Sequence, residues 1–149
     1  MTVGVEMCTK NINIPDSRDT VEMFIFDSAG KELFADVVQK YWDDPSLVMV
    51  VFDVTNEMSF KACDKWLGRV MSKNPHISCP GVLVGNKTDL EGRRVISEQT
   101  ARQFAEANSL EYFECSASKM KNVEQPFYFL ANAYHKLYKE KLEVMKSLA

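Results

Sequence analysis

Three short polar motifs each follow, or close, a run of apolar, strand-forming residues. They are Asp27–Gly30, Asn86–Asp89 and Glu114–Ala117. In an open parallel sheet, ligands bind in the crevice outside the carboxyl ends of the strands. The shared position of the three motifs therefore predicts that they contribute to one binding site.

The motif Asn86–Asp89 carries the most specific chemistry. The carboxylate of Asp89 can accept two parallel hydrogen bonds from the N1–H and N2–H₂ edge of guanine. Adenine lacks that pair of donors, and a site built on them discriminates by about 10⁴-fold. The stem of Lys87 can lie over the purine face, and the Asn86 amide can tie neighbouring loops together. The alternative interpretation is a polar turn between a strand and a helix.

The other two motifs are common in turns when they occur alone. Asp27 at a strand end can orient a magnesium ion through its water shell, because Mg²⁺ keeps several waters. Gly30 lets a backbone N–H approach a phosphate closely. Ala117 is small enough to bring its N–H to the O6 atom of guanine. The order of all three motifs favours a guanine-nucleotide site over three unrelated turns.

The elements that must position these motifs alternate between strand-like and helix-like periodicity, which predicts an α/β domain. The sequence predicts five strands, of which the first two form a hairpin and the third is parallel and covered on both faces. The strands are expected at Val3–Cys8, Val21–Phe26, Leu47–Val54, Gly81–Gly85 and Glu111–Cys115.

Three helices are predicted between and after these strands. Asn56 and Ser97 are expected to cap the first two, and Asn108 lies near the end of the second. The third helix is expected from about Asn122 to the terminus, with an apolar stripe that packs against a sheet. A cofactor-binding function for that stripe is the alternative. Its members are Val123, Phe127, Leu130, Tyr134, Leu137, Tyr138, Leu142 and Met145.

Composition excludes several classes of protein. The chain has 149 residues, 46% of them hydrophobic and 26% charged, which predicts a single domain over residues 1–149. Its longest uncharged apolar run, Leu47–Phe52, has six residues, whereas a bilayer crossing needs about 20. The net charge of −3 gives no support for nucleic-acid binding. The four cysteines and two histidines lack metal-ligand spacing, so we expect free thiols and no zinc.

Taken in order, the three motifs resemble the nucleotide-binding loops of Ras-superfamily small GTPases. The stretch Val51–Glu57, with Trp66 and Leu67, resembles the Rab branch, and the resemblance covers essentially residues 1–140. It implies a fold of the P-loop NTPase type, a doubly wound, mostly parallel sheet with helices on both faces. It also implies GTP or GDP and Mg²⁺ as ligands. The implied nucleotide-binding residues are Asp27, Gly30, Asn86, Lys87, Asp89, Ser116, Ala117 and Ser118. The implied Mg²⁺ ligands are Thr2 and Asp27.

The stretch Phe24–Phe34 and an ending without a prenylated cysteine resemble a Rab-like group that serves intraflagellar transport. This resemblance implies a switch subunit that acts in cilium assembly and ciliary trafficking, in the cytoplasm and the cilium. It implies a small β-sandwich subunit and other complex B subunits as partners. No nucleic acid, lipid anchor or transmembrane segment is expected.

The sequence also departs from the small-GTPase pattern. It has no GxxxxGK(S/T) phosphate-binding loop, so we expect the first strand, that loop and the first helix to be missing from a shortened product or an incomplete gene model. Two interior strand edges would then be unpaired, and guanine nucleotide would be held weakly. Lys31 occupies the position of the usual catalytic Gln, so no catalytic residue is assigned and hydrolysis is expected to be slow. Ser118 stands where the family often has Lys.

Two alternatives to a nucleotide switch remain. One is a nucleotide-free interaction module that uses the α/β scaffold and its last helix to dock a partner. The other is a flavodoxin-like or receiver-like domain, for which Asp53 and Lys87 supply part of the required residue set.

Overall fold

A computed structural model of the chain describes residues 4–30, 45–73 and 79–148. The described residues fall into two compact units, one made of residues 4–30, 45 and 131–148 and the other of residues 46–73 and 79–130. The elements in chain order are β1 (Val5–Asn13), β2 (Thr20–Ser28), β3 (Val48–Asp53), α1 (Glu57–Lys73), β4 (Gly81–Asn86), a 3₁₀ helix (Thr88–Arg93), α2 (Glu98–Ala107), β5 (Glu111–Glu114) and α3 (Gln125–Ser147).

The first unit contains the predicted hairpin. Strands β1 and β2 pair antiparallel, with Val5 opposite Ser28 at one end and Asn13 opposite Thr20 at the other. Both strands are longer than the sequence pattern predicted, because cross-strand pairing continues through polar positions that carry no apolar signal. In the same unit, Asp19 of the hairpin turn accepts hydrogen bonds from two residues of α3. These are His135 and Lys139, each 2.8 Å away.

The second unit is built on a three-stranded parallel sheet in the order β3-β4-β5. The central strand β4 is buried from Gly81 to Gly85, which explains its short run of small and aliphatic residues. The parallel arrangement of β3 is confirmed. Its predicted coverage on both faces is wrong, because Val51 is 53% exposed while Val50 and Phe52 on the other face are buried.

Strand β3 is an edge of this sheet within the described parts of the chain. Val48 N–H donates to Pro80 O and Val54 N–H donates to Asn86 O, both at 3.1 Å. Because successive residues of a strand point to opposite sides, the backbone groups of Met49 and Val51 face away from β4. The expectation of two unpaired interior strand edges stays a prediction.

Helices α1 and α2 cover one face of the sheet with the stripes that the sequence predicted. Cys63 and Leu67 of α1 and Ala101 and Ala105 of α2 are buried in one core. Both caps are confirmed: Asn56 Oδ1 accepts from Ser59 N–H, and Ser97 Oγ accepts from Thr100 N–H, each at 3.1 Å. The α/β fold class predicted from the sequence is confirmed.

Helix α3 begins at Gln125, three residues after the predicted start, and its packing prediction is only partly right. Pro126, Leu130 and Ala131 are buried. The later stripe residues Tyr134, Leu137, Tyr138 and Met145 are exposed, so the expected sheet packing is wrong for them. His135 and Leu142, also in the later turns, are partly buried. No helix in the described ranges has the length and apolar character required to cross a bilayer.

Candidate functional site

Two loops meet at the carboxyl ends of β4 and β5, because these strands are parallel neighbours in the sheet. Cys115 N–H donates to Gly85 O at 2.9 Å and so continues the ladder past the end of β5. Thr88, from the loop after β4, then donates twice to Cys115 O, from its N–H at 3.2 Å and its hydroxyl at 3.0 Å. The second and third sequence motifs are thus held side by side.

The side chain of Asn86 connects the two loops, as its residue type predicted. Its Oδ1 accepts from Lys87 N–H at 2.7 Å and from Ala117 N–H at 3.1 Å. A single amide oxygen therefore fixes the start of one loop and the small residue of the other.

Asp89 is exposed at the mouth of this loop pair, and Ser116 beneath it is only 1% exposed. Ser116 Oγ donates to Asp89 Oδ1 at 2.5 Å. Among the described residues, no hydrogen bond reaches the other carboxylate oxygen of Asp89. Ser116 therefore orients the carboxylate, and the carboxylate stays accessible from the solvent side. Recognition of two adjacent N–H donors requires this arrangement.

Ala117 is exposed, but its N–H is not free to bind a ligand in this conformation, because it donates to Asn86 Oδ1. A purine O6 would have to share or replace that bond. Ser118 is exposed at the outside of the turn, and Lys119 N–H donates to Ser116 Oγ at 3.2 Å. The chain thus brings Asn86, Asp89, Ser116 and Ala117 together.

Lys87 extends from the end of β4 towards the end of β3. Its backbone is left-handed, with φ of 68°, and its Nζ lies 2.6 Å from Asp53 Oδ2. Asp53 Oδ1 accepts from Thr55 N–H at 2.8 Å and from Thr55 Oγ1 at 2.7 Å. Burial raises the pKa of Asp53, but the bonds from Lys87 and Thr55 outweigh burial and hold that pKa below its usual value of 3.8.

Asp53 was predicted from the sequence only as part of the receiver-like alternative and was not assigned to the nucleotide site. The available signal was its position as the last residue of β3, the same strand-end position that marked the other motifs. Because Asp53 pairs with Lys87, a carboxylate at the end of β3 neutralises the ammonium charge of the Asn86–Asp89 motif.

Asp27 and Gly30 belong to the hairpin unit. Asp27 is exposed and lies within β2, opposite Glu6, rather than after the strand as the sequence predicted. Gly30 is exposed just beyond β2. Thr2 and Lys31 lie outside the described residues. Within the described ranges, no group of three or more His, Cys, Asp or Glu side chains is arranged to hold a metal ion. The described residues thus supply only Asp27 of the two expected Mg²⁺ ligands.

Comparisons with known proteins agree on one family. A profile described as the Ras family matches residues 1–136. The human protein named intraflagellar transport protein 27 homolog is 51% identical over 149 residues, which is 100% of this chain and 80% of that protein. Intraflagellar transport protein 27 of Chlamydomonas reinhardtii is 34% identical over 146 residues, covering 95% and 72%. Ras-related protein Rab-2B of Dictyostelium discoideum is 37% identical over 126 residues, covering 85% and 61%.

Proposed function

Since this chain belongs to the Ras family, we propose that it is a Rab-like, guanine-nucleotide-binding switch subunit of the intraflagellar transport machinery. Proteins of this family bind guanine nucleotides together with Mg²⁺. The intraflagellar transport assignment is supported by the names of relatives that match essentially the whole chain.

One observation carries the nucleotide-binding part of the proposal. Ser116 orients the exposed carboxylate of Asp89, and Asn86 joins the Asp89 loop to Ala117. A guanine whose N1–H and N2–H₂ edge faces Asp89 would place its O6 towards the backbone of the Ala117 loop. Asp89 discriminates against adenine because adenine offers no matching pair of N–H donors. With adenine bound, the Asp89 carboxylate would lose those hydrogen bonds.

We expect the base-binding motif to contact the base rather than the phosphates. Lys87, the cation of the base-binding motif, is paired with Asp53. Asp27, Gly30 and Ser118 remain proposed contacts to the nucleotide, and Thr2 and Asp27 remain proposed contacts to Mg²⁺.

A nucleotide titration tests the proposal. In an isotope-labelled sample of the whole chain, GMP should shift the amide signals of Asn86–Asp89 and Ser116–Ala117 at concentrations where AMP does not. Asp89→Asn should abolish the preference for GMP and favour xanthosine monophosphate, because the new amide can donate to the carbonyl at C2 of xanthine. Asp64→Asn, an exposed acid on α1, is the matched control and should behave like the wild type. Equal shifts with GMP and AMP would refute guanine recognition.

We propose that GTP turnover is weak or absent in this chain. Lys31 stands where small GTPases usually carry Gln, and a cation cannot accept a hydrogen bond from the attacking water. Phosphate release from millimolar GTP should not exceed the buffer rate. Release that Asp89→Asn abolishes would show that the site hydrolyses GTP despite Lys31.

Partners and location follow from the resemblance and are proposals. We expect the chain to associate with a small β-sandwich subunit and other complex B subunits, in the cytoplasm and the cilium. Co-expression with the β-sandwich subunit should yield a complex that survives size-exclusion chromatography. A tagged chain that fails both to form this complex and to enter cilia of cultured cells would contradict the assignment.

The second candidate function is a nucleotide-free interaction module. It is favoured by the internal bonds of the loops, since Ala117 N–H is occupied by Asn86 and the Lys87 ammonium by Asp53. Under this alternative, Asp89→Asn leaves partner binding unchanged and GMP causes no shifts at either loop. Under the leading proposal, GMP binds in preference to AMP.

A further inference from the structure

The segment that carries Asp89 has little apolar packing, since Leu90 is its one apolar side chain and is only partly buried. The 3₁₀ helix Thr88–Arg93 contains no buried residue. Polar contacts therefore contribute strongly to its position. At its beginning, Thr88 and Asp89 bond to the Cys115–Ser116 loop. Just after its end, the backbone N–H groups of Val95 and Ile96 donate to the backbone oxygen of Val54, the residue that follows β3. Among the described residues, these backbone bonds connect the end of the segment to β5, the strand that leads into Ala117, only through the sheet.

The side chain of Arg94 adds a direct connection to β5. Its guanidinium donates to both carboxylate oxygens of Glu114, at 2.9 Å each, and also to Ile96 O at 3.2 Å. Its Nε lies 3.3 Å from Glu91, within the 3₁₀ segment itself. Bidentate pairs of this kind fix orientation as well as distance. The side chains of Arg94 and Glu114 are only 17% and 24% exposed, so solvent screens the pair less than a surface ion pair.

Glu114 is itself anchored to the hydrophobic core. Tyr112 Oη donates to Glu114 Oε1 at 2.7 Å, and the Tyr112 ring stacks on Phe52 with 6.4 Å between centroids. Burial raises the pKa of Glu114, but hydrogen bonds from Arg94 and Tyr112 lower it by more, so the group titrates below its usual value of 4.5. The carboxylate is therefore ionised at neutral pH and held on both sides.

We propose that Arg94 and Glu114 are positioning residues that set the spacing between Asp89 and Ala117, and through it the selectivity for guanine. Glu114 directly precedes the loop that carries Ala117, and Arg94 directly follows the segment that carries Asp89. The Arg94–Glu114 ion pair and the bonds at Asn86 and Ser116 together form a network, here called the frame, that holds Asp89 and Ala117 in place. The inference rests on the proposed guanine recognition and assigns selectivity to residues that do not touch the base.

The opposing explanation is that the pair only stabilises the fold. The two explanations differ in one measurable ratio. Partial unfolding removes binding sites for GMP and AMP equally, so it leaves the ratio of their dissociation constants unchanged. A loosened frame misplaces Asp89 relative to Ala117, which weakens GMP binding more than AMP binding.

The experiment measures that ratio for the whole chain by titration with GMP and AMP. Glu114→Gln, which keeps the side-chain shape, and Arg94→Lys, which keeps the charge, should each lower the preference for GMP by about 3- to 10-fold, the value of one hydrogen bond. The reversed pair, Arg94→Glu combined with Glu114→Arg, should recover part of the preference for GMP that the single variants lose. Lys61→Gln, which breaks the exposed Lys61–Glu57 pair on α1, is the control and should have no effect.

Each outcome decides between the proposals. A wild-type chain without preference for GMP would overturn the proposed function, and this inference with it. A wild-type chain that prefers GMP, with the same preference in Glu114→Gln and Arg94→Lys, would overturn the positioning role while the proposed function stands. A lowered preference that the reversed pair restores would establish the positioning role, since loss of stability alone cannot produce it.

Discussion

Replacing Gly85 by alanine should destabilise the sheet unit, because the added Cβ has no space. Built on the native backbone, that atom would lie 2.8 Å from Tyr112 Oη, 3.1 Å from Phe52 Cζ and 3.1 Å from Val54 Cγ1. Gly85 is buried in the central strand of the sheet, so the backbone cannot move outward to relieve the contact.

The size of the effect follows from two ways of accommodating the methyl group. Overpacking of a dense core costs about 1–3 kcal/mol. If Tyr112 moves instead, its hydroxyl loses the 2.7 Å bond to the ionised Glu114, and a bond to a charged group is worth about 1.5–3 kcal/mol. The less costly route sets the effect, so we expect a loss of about 1–3 kcal/mol in the free energy of unfolding.

Urea unfolding monitored by circular dichroism measures this loss as a shift of the midpoint at unchanged slope. Gly68→Ala is the matched control. Gly68 lies in helix α1 with no atom within 4 Å of its added Cβ. Alanine is favoured over glycine in a helix by about 1 kcal/mol, so this variant should be more stable than the wild type.

The same substitution in a Tyr112→Phe background tests the cause. Without the hydroxyl, the closest contact disappears, and the cost of Gly85→Ala should fall by at least half. An equal cost in both backgrounds would show that Tyr112 Oη is not the obstacle. Wild-type stability of Gly85→Ala would refute the packing argument itself.

Three further predictions concern other parts of the chain. Met120→Gly should raise stability by about 0.5 kcal/mol in urea unfolding, since Met120 is 76% exposed and has a left-handed φ of 50°. Exposed Cys8 should react with a chromogenic thiol reagent in the folded chain, whereas Cys63, whose burial raises its pKa to about 11, should react only after unfolding. A hydrogen bond from Lys139 holds the pKa of Asp19 below 3.8, so the contact between the hairpin turn and α3 persists above pH 3.8 and is lost as the pH falls through the lowered pKa. Amide exchange in the hairpin should show this pH dependence, and Asp19→Asn should abolish it.

Much of the fold could be predicted because its signals are local. The alternating pattern of the hairpin, the apolar run of β4, and the caps at Asn56 and Ser97 each depend on neighbouring residues. The structure confirms all of them. The prediction was wrong where burial depended on distant elements. Val51 and three later residues of the α3 stripe, Leu137, Tyr138 and Met145, are apolar in sequence but exposed, and periodicity alone cannot tell which apolar faces find a partner.

The candidate site shows the same division. Residue type suggested that Asn86 would tie loops together, and it does so through Ala117. The pairs Lys87–Asp53 and Arg94–Glu114 were not predicted, although all four residues are visible in the sequence. Their partners are separated by many positions along the chain, and no motif spacing links them.

The sequence by itself determined the residue types at the strand ends and the order of the motifs, because these depend on composition and local periodicity. Only the tertiary structure decided which charges neutralise each other and which donors are already occupied. Parallel pairing brings the ends of β3, β4 and β5 together, so side chains distant in sequence compete for the same hydrogen bonds. That competition occupies the Ala117 N–H and the Lys87 ammonium while leaving Asp89 exposed, and it arises only when the strands are in register.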